Sequence, residues 1–244
     1  MNEKQLPAYQ KVYNELKRSI QNSEYEVNSL LPSEPVLEKM FGVSRITVRR
    51  AIDMLSADGY VTVRQGHGTT VKMPNPTQKL NFITSFFETL SSYGYKVTTK
   101  NTHIDKIVAP ANVLPSLNLT EGAQVIRFQR LLIANDKPIA IVTNYINADL
   151  LPNAEQHMDQ FQSLYLFLEN VFNLTIDSAN DTITARSADL GQSQLLELPI
   201  GSPLIYLKRV TYTGPAPLSL DIIYIDGMRY SFTVNLHGRS SESN

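Results

Sequence analysis

The sequence predicts an α+β protein of two domains: a small helical N-terminal domain ending in a β-ribbon, and a larger antiparallel sheet with helices. Three observations predict it. Apolar residues recur at helical spacing through three short segments before Gly59, then switch to strand alternation around a glycine-rich tip. Further on, two pairs of apolar, β-branched runs flank the turn residues Asn135-Asp136 and Gly214-Pro215. The chain has 244 residues, and a single domain typically needs roughly 100–200.

The elements follow in order. A first helix spans residues 8–23 on the stripe Tyr9, Val12, Tyr13, Leu16 and Ile20. Leu30-Leu31-Pro32 enters extended, because the residue before proline is pushed out of the α region. Ser33 is placed to cap a second helix from Glu34 to Met40 or Phe41, with Pro35 in the first turn, where a missing N–H is tolerated. Gly42 supplies a turn. Ser44 then caps a third helix that stops at Asp58-Gly59. Its inner face is Val48, Ala51, Ile52 and Leu55; Ile46, Arg49 and Arg50 face out, with Arg45 in the first turn. Residues 60–64 and 69–71 alternate as two strands about Gln65-Gly66-His67-Gly68, whose glycines allow close backbone approach. That order is a winged helix-turn-helix, a shape that sets its last helix in the DNA major groove.

Pro74-Asn75-Pro76 marks an extended connector. The domains are therefore drawn as 1–73, a linker 74–79, a second domain 80–240 and a polar tail 241–244. In the second domain residues 125–133 and 139–146 form one hairpin, residues 204–212 and 218–225 another, and 163–172 a helix.

Composition narrows the function. There is no cysteine, hence no disulfide and no thiolate metal site. The N-terminus carries no apolar signal core, and no apolar run approaches the roughly 20 residues that span a bilayer, so a cytoplasmic protein without a membrane partner is expected. His67, His103, His157 and His237 are scattered without metal spacing. No nucleophile elbow or nucleotide-binding glycine loop is present, so no catalytic residue, metal or cofactor is expected. Net charge is −1, but residues 1–75 carry 10 Lys+Arg against 8 Asp+Glu, giving +2, and residues 76–244 carry 12 against 15, giving −3. The case for DNA rests on where the arginines sit.

Pro7-Ala8-Tyr9, L-P-S-E at 31–34, F-G-V-S-R-x-T-V-R-x-A at 41–51, L-x-x-x-G-Y at 55–60 and G-x-G-T-x-V at 66–71 resemble the GntR family of bacterial transcription regulators. Segments 85–95, 117–132, 137–146, 163–169, 198–212 and 224–232 resemble its HutC-type effector domain, the UTRA domain, which shares the chorismate lyase-like fold. The resemblance implies a homodimer on a palindromic double-stranded operator, most often as a repressor, released when a small metabolite such as a sugar phosphate binds the C-terminal domain. An activator, or a dimer whose C-terminal domain binds no small molecule, is the alternative. Fold alone does not carry a lyase activity over.

Carried over residue by residue, Arg45 and Arg49 make base contacts, Ser33, Thr47 and Arg50 meet phosphate, and Gly66, His67 and Gly68 form the wing tip. The effector set is Ser85, Arg130, Ser163, Tyr165 and Tyr230. Several positions depart from the pattern. Pro35 stands where the family has a guanine-reading arginine, and Asn28 where it has glycine. Leu132 replaces the second arginine of R-x-R, Val142 an acidic residue, and Asp226 and Met228 a base and an acid. These changes imply altered operator specificity and a less charged or differently shaped effector.

Overall fold

The computed structural model describes residues 6–22, 24–154, 156–157, 161, 163–236 and 238; Ser23, His237 and the tail 241–244 lie outside them. The chain divides into two compact units, residues 1–75 with 92–95, and residues 76–91 with 96–244.

In the first unit α1 (Ala8–Gln21), α2 (Glu34–Phe41) and α3 (Arg45–Ala57) precede an antiparallel ribbon of β1 (Val61–Arg64) and β2 (Gly68–Val71). The expected stripes are the ones that pack: Val12, Leu16 and Ile20 meet Leu37, Val48, Ala51 and Leu55 in one core, closed by Tyr60 and Val71. Burying each such aliphatic side chain is worth about 1.5–3 kcal/mol. Gly42 ends α2 at φ 63°, a left-handed turn that sets α3 off in a new direction. Ser44 caps α3 through Thr47 N. Ser33 sits at the N-cap of α2 but makes no side-chain cap, contrary to expectation. Pro35 offers no N–H to it, and the Val36 and Leu37 amides are taken by the Ser33 carbonyl. Asn28 adopts φ 72°, so asparagine does take the left-handed turn expected there.

The second unit is built on one six-stranded antiparallel sheet in the order β4-β5-β6-β9-β8-β7. The strands are β4 (Val97–Val108), β5 (Gln124–Ala134), β6 (Lys137–Asn147), β7 (Ser178–Ser187), β8 (Pro203–Thr213) and β9 (Ala216–Asp226). Both expected hairpins are present. Asn135 and Asp136 turn the first at φ 48° and 63°, the left-handed pair of a two-residue hairpin. One face of the sheet packs Ile126, Phe128 and Ile146 under α5 (Leu164–Phe172). Elsewhere a 3-10 turn (Leu114–Leu117) covers Val125 and Leu220, and α6 (Leu190–Leu196) covers Leu131, Ile133 and Leu204.

The segment read as a linker is shorter than drawn. Thr77–Lys79 form β3, paired in parallel with β10 (Ser231–Thr233), so those residues belong to the second unit. The half-buried Thr77 and exposed Lys79 side chains hide this pairing, because a strand so short shows no apolar alternation. Next comes α4 (Phe86–Ser92), whose start is closed reciprocally: Glu88 N donates to Ser85 Oγ (3.1 Å), and Ser85 N donates to Glu88 Oε2 (2.7 Å).

Candidate functional site

Two constellations stand out, one in each unit. The first is the outer face of α3. Arg45 Nε donates to Glu34 Oε2 at 2.9 Å, and Arg49 Nε lies 3.6 Å from Glu34 Oε1. One carboxylate at the start of α2 thus holds two arginines one helical turn apart. Pairs this exposed add little stability. Their effect is orientation, since both contacts use Nε, one as a hydrogen bond and one as an ion pair, and leave the terminal nitrogens of both guanidinium groups for a ligand. The end-on pair is the geometry that meets guanine O6 and N7. Sequence reasoning missed Glu34, although its place in L-P-S-E was a signal.

Of the other residues carried over, Arg50 stacks its guanidinium 3.9 Å from the Tyr9 ring centroid, which fixes it at the edge of this face. Thr47 Oγ1 lies 3.0 Å from Ser44 Oγ. Ser33 is exposed, and no hydrogen bond within α2 engages its hydroxyl. Gly66, His67 and Gly68 are all exposed at the ribbon tip, where Gly66 and Gly68 have φ 78° and 87°. Pro35 and Ile46 are exposed on the same unit, Ile46 at 80%.

The second constellation is a cavity in the second unit, with about 460 Å³ of empty space including its mouth. The sheet registers build its floor. Asn144 on β6 lies opposite Asp221 on β9, Asp221 opposite Arg209 on β8, and Arg209 opposite Asp181 on β7. Period-two alternation puts these four on one face, so they form a polar row across the sheet. Arg130 on β5 joins it diagonally: Arg130 Nη2 donates to Asn144 Oδ1 (2.6 Å), and Asn144 Nδ2 donates to Asp221 Oδ1 (2.7 Å). Tyr165 OH donates to Asp221 Oδ2 (3.1 Å), and Ser219 Oγ donates to Asp221 Oδ1 (2.9 Å). Arg209 grips Asp181 with Nε and Nη2, each at 2.6 Å.

Arg130 is 7% exposed and stands over the Phe161 ring at 4.7 Å. Its Nε is buried and has no hydrogen-bond partner among the described residues. Burial pulls the guanidinium down to about 10, with Asp221 opposing the shift. The same burial pushes the Asp221 carboxyl up, against the hydrogen bonds of Asn144, Ser219 and Tyr165. Burial and then Asp221 raise the Tyr165 phenol, which stays protonated and donates. Arg209 is also pulled down by burial, but the bonds and charge of Asp181 outweigh this and raise it.

Ser85, Arg130, Ser163 and Tyr165 all line this cavity. Ser163 stands at the N-cap of α5 without capping it; its Oγ donates to Ser85 Oγ at 3.3 Å. The first amides of α5 therefore have no side-chain acceptor there, and such amides together with the helix dipole favour an anion. Tyr230, expected in the site, does not line the cavity. Its hydroxyl donates to Gln78 Oε1 (3.0 Å) and its ring stacks on Phe86 at 4.4 Å, so it braces two lining residues. Arg229 donates to the Pro138 carbonyl, and Asp226 Oδ1 accepts from Met228 N in a turn. Asn144, Asp221 and Arg209 escaped sequence reading. Their signal was polar residues at inward positions of apolar strands. Among the described residues no group of His, Asp or Glu is arranged to hold a metal ion, and no helix is long and apolar enough to cross a membrane.

Comparison with known proteins agrees with both units. Residues 8–71 match the model of the bacterial regulatory proteins of the gntR family, and residues 92–231 match the UTRA domain. The chain is 30% identical to the HTH-type transcriptional repressor NagR of Bacillus subtilis, over 93% of each chain. It is 26% identical to the histidine utilization repressor of Pseudomonas putida, over 99% of this chain and 95% of that one. The crystal structure of PhnF from Mycobacterium smegmatis superposes with a TM-score of 0.70 at 25% identity, covering 93% of this chain and 100% of that one. A helix-turn-helix unit of the first kind joined to an effector-binding unit of the second makes this chain a member of the GntR family, HutC type, a family of DNA-binding transcriptional regulators rather than enzymes.

Proposed function

We propose that the protein is a repressor that binds a palindromic operator as a homodimer in the cytoplasm and lets go when a small anion fills the cavity of its second unit. The observation that carries the effector half is Arg130: a buried cation with an unpartnered Nε, beside two serine hydroxyls and the uncapped start of α5. Leaving such a donor unpaired costs about 1–3 kcal/mol, a cost that an acceptor from outside removes. Relatives aligned along nearly the whole chain are transcriptional repressors.

In this reading Arg45 and Arg49, oriented by Glu34, contact base edges; Ser33, Thr47 and Arg50 contact phosphate; and Gly66, His67 and Gly68 bring the ribbon against the minor groove. A two-fold protein needs two half-sites about one helical turn apart. The effector acts by favouring a state in which the two reading heads no longer match that spacing; a ligand with equal affinity for both states shifts nothing.

The test is operator release. A duplex selected from random-sequence DNA is titrated with the protein, and a panel of small anions is screened for release. Wild type is expected to release with some member of the panel, and Arg130→Ala to keep DNA affinity while losing that response. Unchanged release by Arg130→Ala contradicts the effector assignment.

A further inference from the structure

The polar groups of the cavity are unequally available. Asn144 spends its oxygen on Arg130 and its amide on Asp221. Tyr165 OH donates to Asp221 and accepts from Arg209. Gln78 gives its amide to Thr84 O and accepts from Tyr230 with its oxygen. Arg209 is held by four bonds, with Nε and Nη2 on Asp181 and Nη1 on the Thr84 carbonyl and Tyr165 OH. Among the described residues, donor capacity remains on Arg130 Nε, with the Ser85 hydroxyl and the first turn of α5. Most of the remaining lining is apolar: Leu132, Val142, Leu207 and Ile223 from the strands, Phe86 and Phe87 from α4.

We infer that the cavity takes a small monocarboxylate with an apolar body, its carboxylate on Arg130 and its body over Leu132, Val142 and Ile223. This rests on the effector reading above. A polyhydroxylated phosphate fits poorly for two reasons. Its hydroxyls would be buried against groups already satisfied by one another, which leaves them unpaired. Its second negative charge would meet no second free cation among the described lining residues, since the charge of Arg209 is matched by Asp181.

Full-length protein is titrated calorimetrically with phenylacetate, hexanoate, phenylacetamide and glucose 6-phosphate. At least one carboxylate is expected to bind about tenfold or more tighter than both phenylacetamide and glucose 6-phosphate. Arg130→Gln should weaken that carboxylate by about tenfold or more. Leu132→Arg, which adds a second cation, should shift preference toward glucose 6-phosphate; if it fails to fold, Val142→Thr should weaken the carboxylate instead. Equal binding of phenylacetamide and phenylacetate overturns the inference, as does no binding of either carboxylate. Tighter binding of glucose 6-phosphate to wild type overturns the ligand class but leaves the effector reading standing. That reading fails on its own test, if no anion of the wider panel releases operator or Arg130→Ala leaves release unchanged.

Discussion

Glu34 shows how a single side chain sets a recognition face. It places one negative charge on the face proposed to meet DNA, yet it orients two arginines. Glu34→Gln is therefore expected to raise affinity for random DNA while lowering discrimination for the selected operator. Competition binding against random duplex reads both, and a parallel change in the two would contradict the orienting role. Arg130 gives a pH dependence. Its buried guanidinium lies near 10, and a bound anion requires the charged form. Anion binding thus raises that value, so affinity is full at neutral pH and falls as pH rises through about 10. Titration calorimetry across that range checks the sign. Arg45 and Arg49 were legible in the sequence because their meaning is local, in one helix behind one turn. Asn144, Asp221 and Arg209 were not, because only the strand registers put them in a row.

Between elements the two serine caps differ, and stability should show it. Ser44→Ala removes a side-chain cap from α3 and is expected to cost about 1 kcal/mol in denaturant unfolding. Ser33→Ala removes no cap from α2, so it should leave stability within about 0.5 kcal/mol while weakening DNA binding. Equal losses for the two would argue that Ser33 caps α2 in solution. Beside Ser33, Pro35→Arg should change operator affinity more than Pro35→Lys, because only arginine offers a planar fork to a base edge. The helices of the first unit and the two central hairpins could be read because their buried faces keep a clean period. β4 and β7 could not. They are the sheet edges, and V-T-T-K-N-T-H-I-D-K-I-V and S-A-N-D-T-I-T-A-R-S expose most of their residues, leaving little alternation to detect.

For the molecule as a whole, near-neutral net charge conceals a division of labour. The +2 on residues 1–75 is small, so specificity must come from placed contacts rather than bulk attraction. The boundary between the units was less legible than the units themselves: residues 92–95, the last residue of α4 and the three after it, fall with the first unit although the rest of α4 belongs to the second. Gln21 Nε2 donates to the Ser92 carbonyl at 2.7 Å, a pairing 71 positions apart that no local pattern reveals. Sequence-specific DNA reading by α3 is the central proposal. The most direct test is fluorescence anisotropy of a selected operator duplex, with excess random DNA, for wild type and Arg49→Ala across a salt series. Wild type should resist the competitor. Arg49→Ala should melt normally yet lose about 1–3 kcal/mol of discrimination, keeping only binding that salt removes. Discrimination equal to wild type would contradict the assignment of α3 as the reading helix.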